Sequence, residues 1–290
     1  MSELFDNCDN LVEIFDISYW DTFNVEYMNK MFNDCTSLTK FPKIKGWTTM
    51  NVLSLKEMFN NCSSLEEIKG ISKWKTDNVK DISGLFSGCS KLKSLDLSNW
   101  ETNNVTEMIN LFNKCELLEK IEGIQKWNIS NVVDISGLFC ECRNLKSLPD
   151  LSEWKTNKVE YMKNLFKKCE LLENIEGIQN WEINELRDIS GLFCKCYKLQ
   201  SLPDLSLWKN KTYNIKNMKK MFKDCNELES LPDISLWDVS KVSDLSEMFY
   251  NCNKLKSLPD LSKWSIKRGT RKSKMFDGCT SLKSLPNIFE

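Results

Sequence analysis

The sequence predicts an α/β repeat, a solenoid of about ten to eleven βα units of 26–29 residues with a parallel strand face and a helical face. Three observations carry this. Eleven cysteines, from Cys8, Cys35 and Cys62 through Cys252 and Cys279, are spaced by 27, 27, 27, 26, 27, 27, 27, 29, 27 and 27 residues. Each has Phe three residues before it and Leu three after, from Phe5 and Leu11 to Phe276 and Leu282. All ten tryptophans, Trp20 to Trp264, follow a cysteine by twelve residues or, once, eleven, and all six prolines share one further slot. A period of 20 to 50 residues marks a chain whose units bury their apolar faces only against their neighbours.

The first element of each unit is a short strand. In the 26-residue unit it reads Leu92-Lys-Ser-Leu95-Asp-Leu97, the LxxLxL pattern of a leucine-rich repeat. Leu95 and Leu97 share one face of the strand and Asp96 takes the other. Most units insert one residue here, as in Leu145-Lys-Ser-Leu148-Pro-Asp-Leu151. Proline lacks the amide a parallel ladder needs, so it belongs at a bulge or strand end. Other units meet the same insertion with glycine, as in Ile68-Lys-Gly-Ile71 and Ile121-Glu-Gly-Ile124, so two chemistries serve one kink.

The second element follows the tryptophan. Val132, Ile135, Leu138, Phe139 and Cys142 fit the three-and-four spacing of an amphipathic helix of about three turns. Asp77, Asn103, Ser130, Asn157, Asn184 and Ser240 stand where N-caps would satisfy its first amides. The expected organisation is one array over 1–290, with units at 8–34, 35–61, 62–88, 89–114, 115–141, 142–168, 169–195, 196–224, 225–251 and 252–278 and partial units at the ends. Segments around Cys115 and Cys169 match closely, a longer period of about 54 residues. Two units depart: one carries two extra residues around Lys209-Asn-Lys-Thr-Tyr213, expected as a longer turn. The last has Gly269 and Lys272 in place of Val and Met, a polar segment expected to protect the solenoid's end.

Forty basic and 41 acidic residues give no electrostatic case for nucleic acid or an anionic membrane. No apolar run approaches the ~20 residues of a membrane span, so no membrane insertion is expected. The start, Met1-Ser2-Glu3-Leu4-Phe5, enters the repeat register at once, without a basic and apolar leader. Cysteine on every rung reads as a small buried hydrophobe rather than half of a disulfide. Cys140 and Cys194 add Cys-x-Cys pairs with Cys142 and Cys196, but the chain has no histidine and the pairs lie 54 residues apart, so no metal or other cofactor is expected. The tryptophan row reads as a packing spine. Asn-x-Ser/Thr sequons stand at Asn61, Asn104, Asn128 and Asn210, the first beside a core cysteine.

The pattern resembles the BspA-like leucine-rich repeat surface proteins, and more closely the related repeat of unknown function abundant in mycoplasma lipoproteins. It is carried by Cys225-Asn-Glu-Leu228-Glu-Ser-Leu231-Pro-Asp-Ile-Ser-Leu-Trp237, continuing through Val242, Leu245 and Met248-Phe249 to Cys252. The resemblance implies a leucine-rich-repeat fold, adhesion or protein binding at a cell surface, and no catalytic residues. The sequence shows no secretion signal, lipidation cysteine or anchor, and location is left open. No histidine, phosphate-binding glycine loop or GxSxG turn favours an enzyme. A non-catalytic module binding an unidentified protein ligand is therefore expected. The alternatives are a self-associating scaffold or spacer and a regulatory repeat region of a larger protein. The candidate binding residues are Asp150, Asp204, Asp233 and Asp260, which share one slot of the strand face, and Lys256 beside them. Carboxylates stacked at strand spacing repel unless paired or hydrogen-bonded. Each aspartate either accepts from amides of its own turn or contributes to an acidic stripe for a basic partner or cation.

Overall fold

The computed structural model describes residues 1–42, 44, 47–209, 211–286 and 288. Asn210, within the expected longer turn and also a sequon, lies outside them. The chain is a repeat solenoid. Among the described residues four short strands are found, β1 (Lys40–Phe41), β2 (Glu67–Ile68), β3 (Ser94–Asp96) and β4 (Lys120–Glu122), paired in parallel as β1–β2 and β3–β4. In β3 and β4 the middle residues Leu95 and Ile121 are buried while Ser94, Asp96, Lys120 and Glu122 face solvent, the alternation a strand imposes. β1 precedes Pro42, β2 and β4 lie in glycine units and β3 in the short unit; among the described residues no strand is assigned over the Leu-Pro-Asp segments or before Gly177.

The expected helical face is a correction. Among the described residues there is no α-helix. The segment before each cysteine is a string of three-residue turns tied to the neighbouring units. Within a unit Met58 N donates to Leu55 O (3.1 Å), Cys62 N to Phe59 O (3.1 Å) and Leu65 N to Cys62 O (3.1 Å). The intervening amides point along the solenoid: Leu55 N donates to Asp81 O (2.9 Å), Glu57 N to Ser83 O (2.8 Å) and Phe59 N to Leu85 O (3.0 Å). Two left-handed residues per unit cause this, five residues and one residue before the cysteine, such as Glu57 (φ 54°) and Asn61 (φ 58°), or Gly84 (60°) and Gly88 (76°). A left-handed residue interrupts a right-handed helix. Three-residue turns repeat at nearly the helical spacing, so they put the same apolar residues inward. The expected N-caps have no helix to cap. The residue after several of them does the work: Asn78 Nδ2 donates to Met50 O (2.7 Å), Asn104 to Asp77 O (2.6 Å) and Asn131 to Asn103 O (3.0 Å), each crossing to the preceding unit. An unbroken series of single-residue parallel bridges runs along this side from Tyr27–Ser54 through Asp244–Arg271.

One apolar cluster runs from Ile17 to Phe276. All eleven repeat phenylalanines stack, with centroids 5.2–6.2 Å apart from Phe5–Phe32 to Phe249–Phe276. The cysteines are free and all but Cys8 and Cys279 are buried. Each thiol of the ladder from Cys35 to Cys279 donates to the carbonyl of the preceding unit's phenylalanine, as Cys62 Sγ does to Phe32 O and Cys115 Sγ to Phe86 O, both at 3.1 Å. Tryptophans form the second spine: Trp100 Nε1 donates to Ile71 O (3.0 Å), and Trp74, Trp100 and Trp127 stack. Two residues after several tryptophans a buried threonine clamps the next unit: Thr76 accepts from Glu101 N (2.8 Å) and donates to Glu101 O (2.9 Å).

Candidate recognition surface

The kink beside the strand decides what each rung presents. In the glycine units a left-handed residue begins a short 3-10 turn: Gly70 (φ 88°) before Ile71–Lys73, Gly123 (93°) before Ile124–Lys126 and Gly177 (92°) before Ile178–Asn180. In the Pro-Asp units the aspartate stays in the extended region and its side chain caps the turn. Asp204 Oδ1 accepts from Ser206 N at 2.9 Å, and Asp260 Oδ1 from Ser262 N at 3.1 Å. Asp150 and Asp233 accept likewise from Ser152 N and Ser235 N, both at 2.9 Å. Glycine closes the kink with backbone alone, whereas aspartate leaves a carboxylate on the surface.

All four aspartates are exposed, and each has an oxygen committed to its own turn. Hydrogen bonding from Ser235 holds Asp233 below the usual carboxylate range, helped by Lys263 and Lys209; Ser262 does the same for Asp260. Asp233 and Asp260 are therefore held charged, and all four aspartates are oriented by their own turns. Asp204, Asp233 and Asp260 lie on consecutive rungs, while the Gly177 unit separates Asp150 from them. Lys256 does not neutralise the aspartates. Its Nζ lies 2.6 Å from Glu229 Oε2, and the neighbouring Lys254 pairs with Glu227 at 2.5 Å.

Sequence reasoning missed two residues. Leu207 and Leu236 occupy the position before tryptophan on consecutive rungs and are 55% and 40% exposed. The signal was available: this position is polar in six other units (Lys73, Asn99, Lys126, Glu153, Asn180 and Lys263), with Tyr19 and Gly46 in the first two, so leucine on two consecutive rungs is out of pattern. Next to them, an open groove of about 460 Å³ runs between rungs, lined by Leu231, Asp233, Pro259, Asp260 and Lys263. A second, of about 350 Å³, is lined by Lys256, Asp260, Ser262 and Lys283. Among the described residues no group of three or more Cys, Asp or Glu side chains converges as a metal site. Cys140 and Cys194 are buried, and burial pushes the Cys140 thiol up to about 11.

The repeat is matched end to end by one known family, over residues 1–94, 81–204 and 172–288. The chain belongs to the family described as Mycoplasma protein of unknown function, DUF285. No curated protein matches this DUF285 chain. Among solved structures it is similar to a leucine-rich repeat protein from Bacteroides ovatus, at 24% identity and TM-score 0.47, covering 90% of this chain and 70% of the other. It is also similar to a leucine-rich repeat protein of T. pallidum (18%, TM-score 0.41, 65% and 79% covered). A third is a leucine-rich cell surface protein from Faecalibacterium prausnitzii (18%, TM-score 0.40, 88% and 74% covered). No helix among the described residues is long and apolar enough to cross a membrane.

Proposed function

We propose that this chain is a non-catalytic protein-binding or adhesion module whose three consecutive Pro-Asp rungs dock a partner carrying basic and apolar side chains. The observation that carries the reading is the pairing of exposed Leu207 and Leu236 with the oriented carboxylates of Asp204, Asp233 and Asp260. Protein interfaces combine an apolar centre with a polar rim. Carboxylates already held by their own turns lose little freedom when a partner binds. The lack of histidine supports a binding role over acid–base catalysis.

A displayed random-peptide library tests this with three proteins: wild type, the triple variant Asp204→Asn, Asp233→Asn, Asp260→Asn, and the double variant Leu207→Ser, Leu236→Ser. Asparagine keeps the oxygen that caps each turn and removes only the charge. Wild type is expected to select peptides combining Lys or Arg with apolar residues. Each variant is expected to lose roughly tenfold in affinity for them, with the charge-dependent part weakening as salt rises. Peptides bound equally by all three would overturn the assignment to this surface.

A further inference from the structure

We propose that the turn face of three consecutive units docks a linear sulfated polysaccharide. That face lies away from the Pro-Asp kinks, so the proposal stands apart from the reading above.

The near-zero net charge conceals a local excess. The turn segments 160–168, 187–195 and 216–224 carry nine Lys or Arg against three acids, Glu160, Asp188 and Asp224. The flanking segments 133–141 and 243–251 carry two acids each and no Lys or Arg. Single-residue bridges Tyr161–Asp188 and Asp188–Asn217 set the three basic segments directly on one another. Their charges therefore recur at the spacing of paired strands, about 5 Å per rung.

Pairing does not cancel this excess. The three acids are already engaged: Glu160 by Arg187 at 3.1 Å, Asp188 by the Ser190 amide at 2.7 Å and Asp224 by Asn251 Nδ2 at 2.9 Å. At the two borders Glu141 takes Lys168 at 2.8 Å, and Glu247 takes Lys220 and Lys223. That leaves Lys163, Lys167, Lys195, Lys216 and Lys219, whose ammonium groups have no hydrogen bond or ion pair among the described residues. Lys167, Lys195 and Lys219 are half-buried, so their stems lie against the surface. Lys163 and Lys219 share one row two rungs apart, with Ser190 between them. The Ser190 hydroxyl is buried and has no partner, whereas Ser136 in the same row accepts from the Lys163 amide. An unpartnered hydroxyl between two unpaired ammonium groups is a donor set for an oxyanion.

The kind of cation selects the class of polyanion. Nucleic-acid surfaces add aromatic rings for stacking and guanidinium forks for base edges. Here the single arginine is tied to Glu160, and the three segments expose one ring, Tyr161. A folded acidic protein would need an apolar centre. The exposed apolar residues nearby, Val133 and Tyr161, stand instead at the border with segment 133–141, where Tyr161 N donates to Val133 O at 3.2 Å. Lysines act as hydrated point charges rather than planar forks. A hydrated chain bearing sulfate esters suits them, since each ester stays ionised and offers several oxygens to ammonium and hydroxyl donors together.

The test is fluorescence anisotropy of labelled dextran sulfate, unsulfated dextran and duplex DNA with three full-length proteins. One is wild type. The second carries Lys163→Ser, Lys195→Glu, Lys216→Glu and Lys219→Ser, residue types that the same rows already hold in Ser136, Glu141, Glu160 and Ser246. The third carries Lys73→Glu, Lys126→Glu and Lys263→Glu in the slot before tryptophan, which Glu153 already fills in another unit. Both variants lower the net charge by six, through two losses and two reversals in one and three reversals in the other. Wild type should bind dextran sulfate, ignore dextran and weaken as salt rises. The turn-face variant should bind dextran sulfate roughly a hundredfold more weakly, while the control stays within about twofold of wild type. Urea midpoints close to wild type in both variants separate lost binding from lost folding. Equal losses in the two variants would mean that binding follows net charge, and would overturn the proposal. Duplex DNA bound as tightly as dextran sulfate would overturn the assigned class, and a wild-type chain that does not bind dextran sulfate would overturn the site.

Discussion

Two rows of ionisable groups lie along this solenoid, the outer one interrupted by the glycine units, and they obey opposite rules. The inner row is the thiol ladder, buried and hydrogen-bonded to phenylalanine carbonyls, and burial pushes its members up: Cys35 to about 12, Cys62, Cys115, Cys169 and others well above the usual thiol range. The outer row is carboxylates at the kink, exposed and held by serine amides, and hydrogen bonding pulls Asp96, Asp233 and Asp260 down. The row that must stay neutral is buried within the stack, while the charged row stands on its surface. The inner row carries the packing of the stack, and the outer row is the one proposed above to meet a partner.

The sharpest test of that division is alkali. A thiol whose folded pKa is raised contributes its full stability below the unfolded value near 8.5 and loses it as pH climbs toward the folded value. Each such thiol then costs about 1.4 kcal/mol per pH unit. Nine members of the ladder, Cys35 through Cys252, are raised. Together they remove about 12 kcal/mol per unit, as much as a typical domain possesses. Cooperative unfolding is expected between about pH 9 and 10.5, followed by tryptophan fluorescence and circular dichroism. A fold intact at about pH 11 would show that the inner row does not govern stability.

Next in size is the kink where glycine interrupts the outer row. A Cβ on Gly123 would stand 2.4 Å from Ser98 Cα and 2.5 Å from Ser98 N, backbone atoms that cannot yield, at a φ of +93°. A Cβ on Gly70 meets nothing within 4 Å, at a φ of +88°. Gly123→Ala should therefore cost about 3 kcal/mol or more, and Gly70→Ala about 1 kcal/mol from backbone strain alone. Urea midpoints measure both. Equal losses would mean that strain rather than close approach makes glycine necessary.

Much of this was legible in the residues. The period, the phenylalanine, cysteine and tryptophan rows, the LxxLxL strand and the two kink chemistries all follow from identity at fixed positions, because a core position tolerates few side chains. The turn face was not legible as turns, because three-residue turns and an α-helix share the spacing of Val132, Ile135, Leu138 and Phe139. The cue lay between the apolar residues. Gly84 with Gly88 and Gly137 with Glu141 are left-handed pairs, and Gly or Asn recurs at these positions in Asn7, Asn61, Asn110, Asn164, Gly191, Asn251 and Gly278. Residues that favour left-handed backbone, recurring twice per unit inside a supposed helix, argue against it. At the candidate surface the aspartates stood out by repetition, whereas Leu207 and Leu236 stand out only by breaking a polar position, a signal seen after the rungs are aligned.

Smaller again is the contrast along the inner row. Cys115→Ala removes a fully buried side chain and its bond to Phe86 O, which keeps the Cys89 amide as a donor at 3.1 Å. The expected cost is about 1.5 kcal/mol, from lost packing and a weak hydrogen bond. Cys8→Ala, on the half-buried first rung, should cost less than about 0.5 kcal/mol. Urea midpoints again decide, and equal costs would mean that position along the ladder does not matter.

The smallest effect is expected on the acid side, where the outer row is tested. A carboxylate with a depressed folded pKa contributes stability above the unfolded value near 4 and loses it as pH falls through the folded value. Asp233, Asp260, Glu227 and Glu229 are depressed by hydrogen bonds and lysines, but all are exposed, so solvent and salt screen most of that contribution. Asp244 differs. Burial alone would raise it, yet the Ser246 amide at 2.8 Å and the Arg271 guanidinium at 3.0 Å hold it below the usual range. Stability should therefore be flat between about pH 5 and 8 and fall gently below about pH 4. The fall should shrink in about 1 M salt, and Asp244→Asn should remove more of it than Asp260→Asn. An acid limb as steep as the alkaline one would mean that the surface row holds the stack together as the buried row does, and the division between the two would fail.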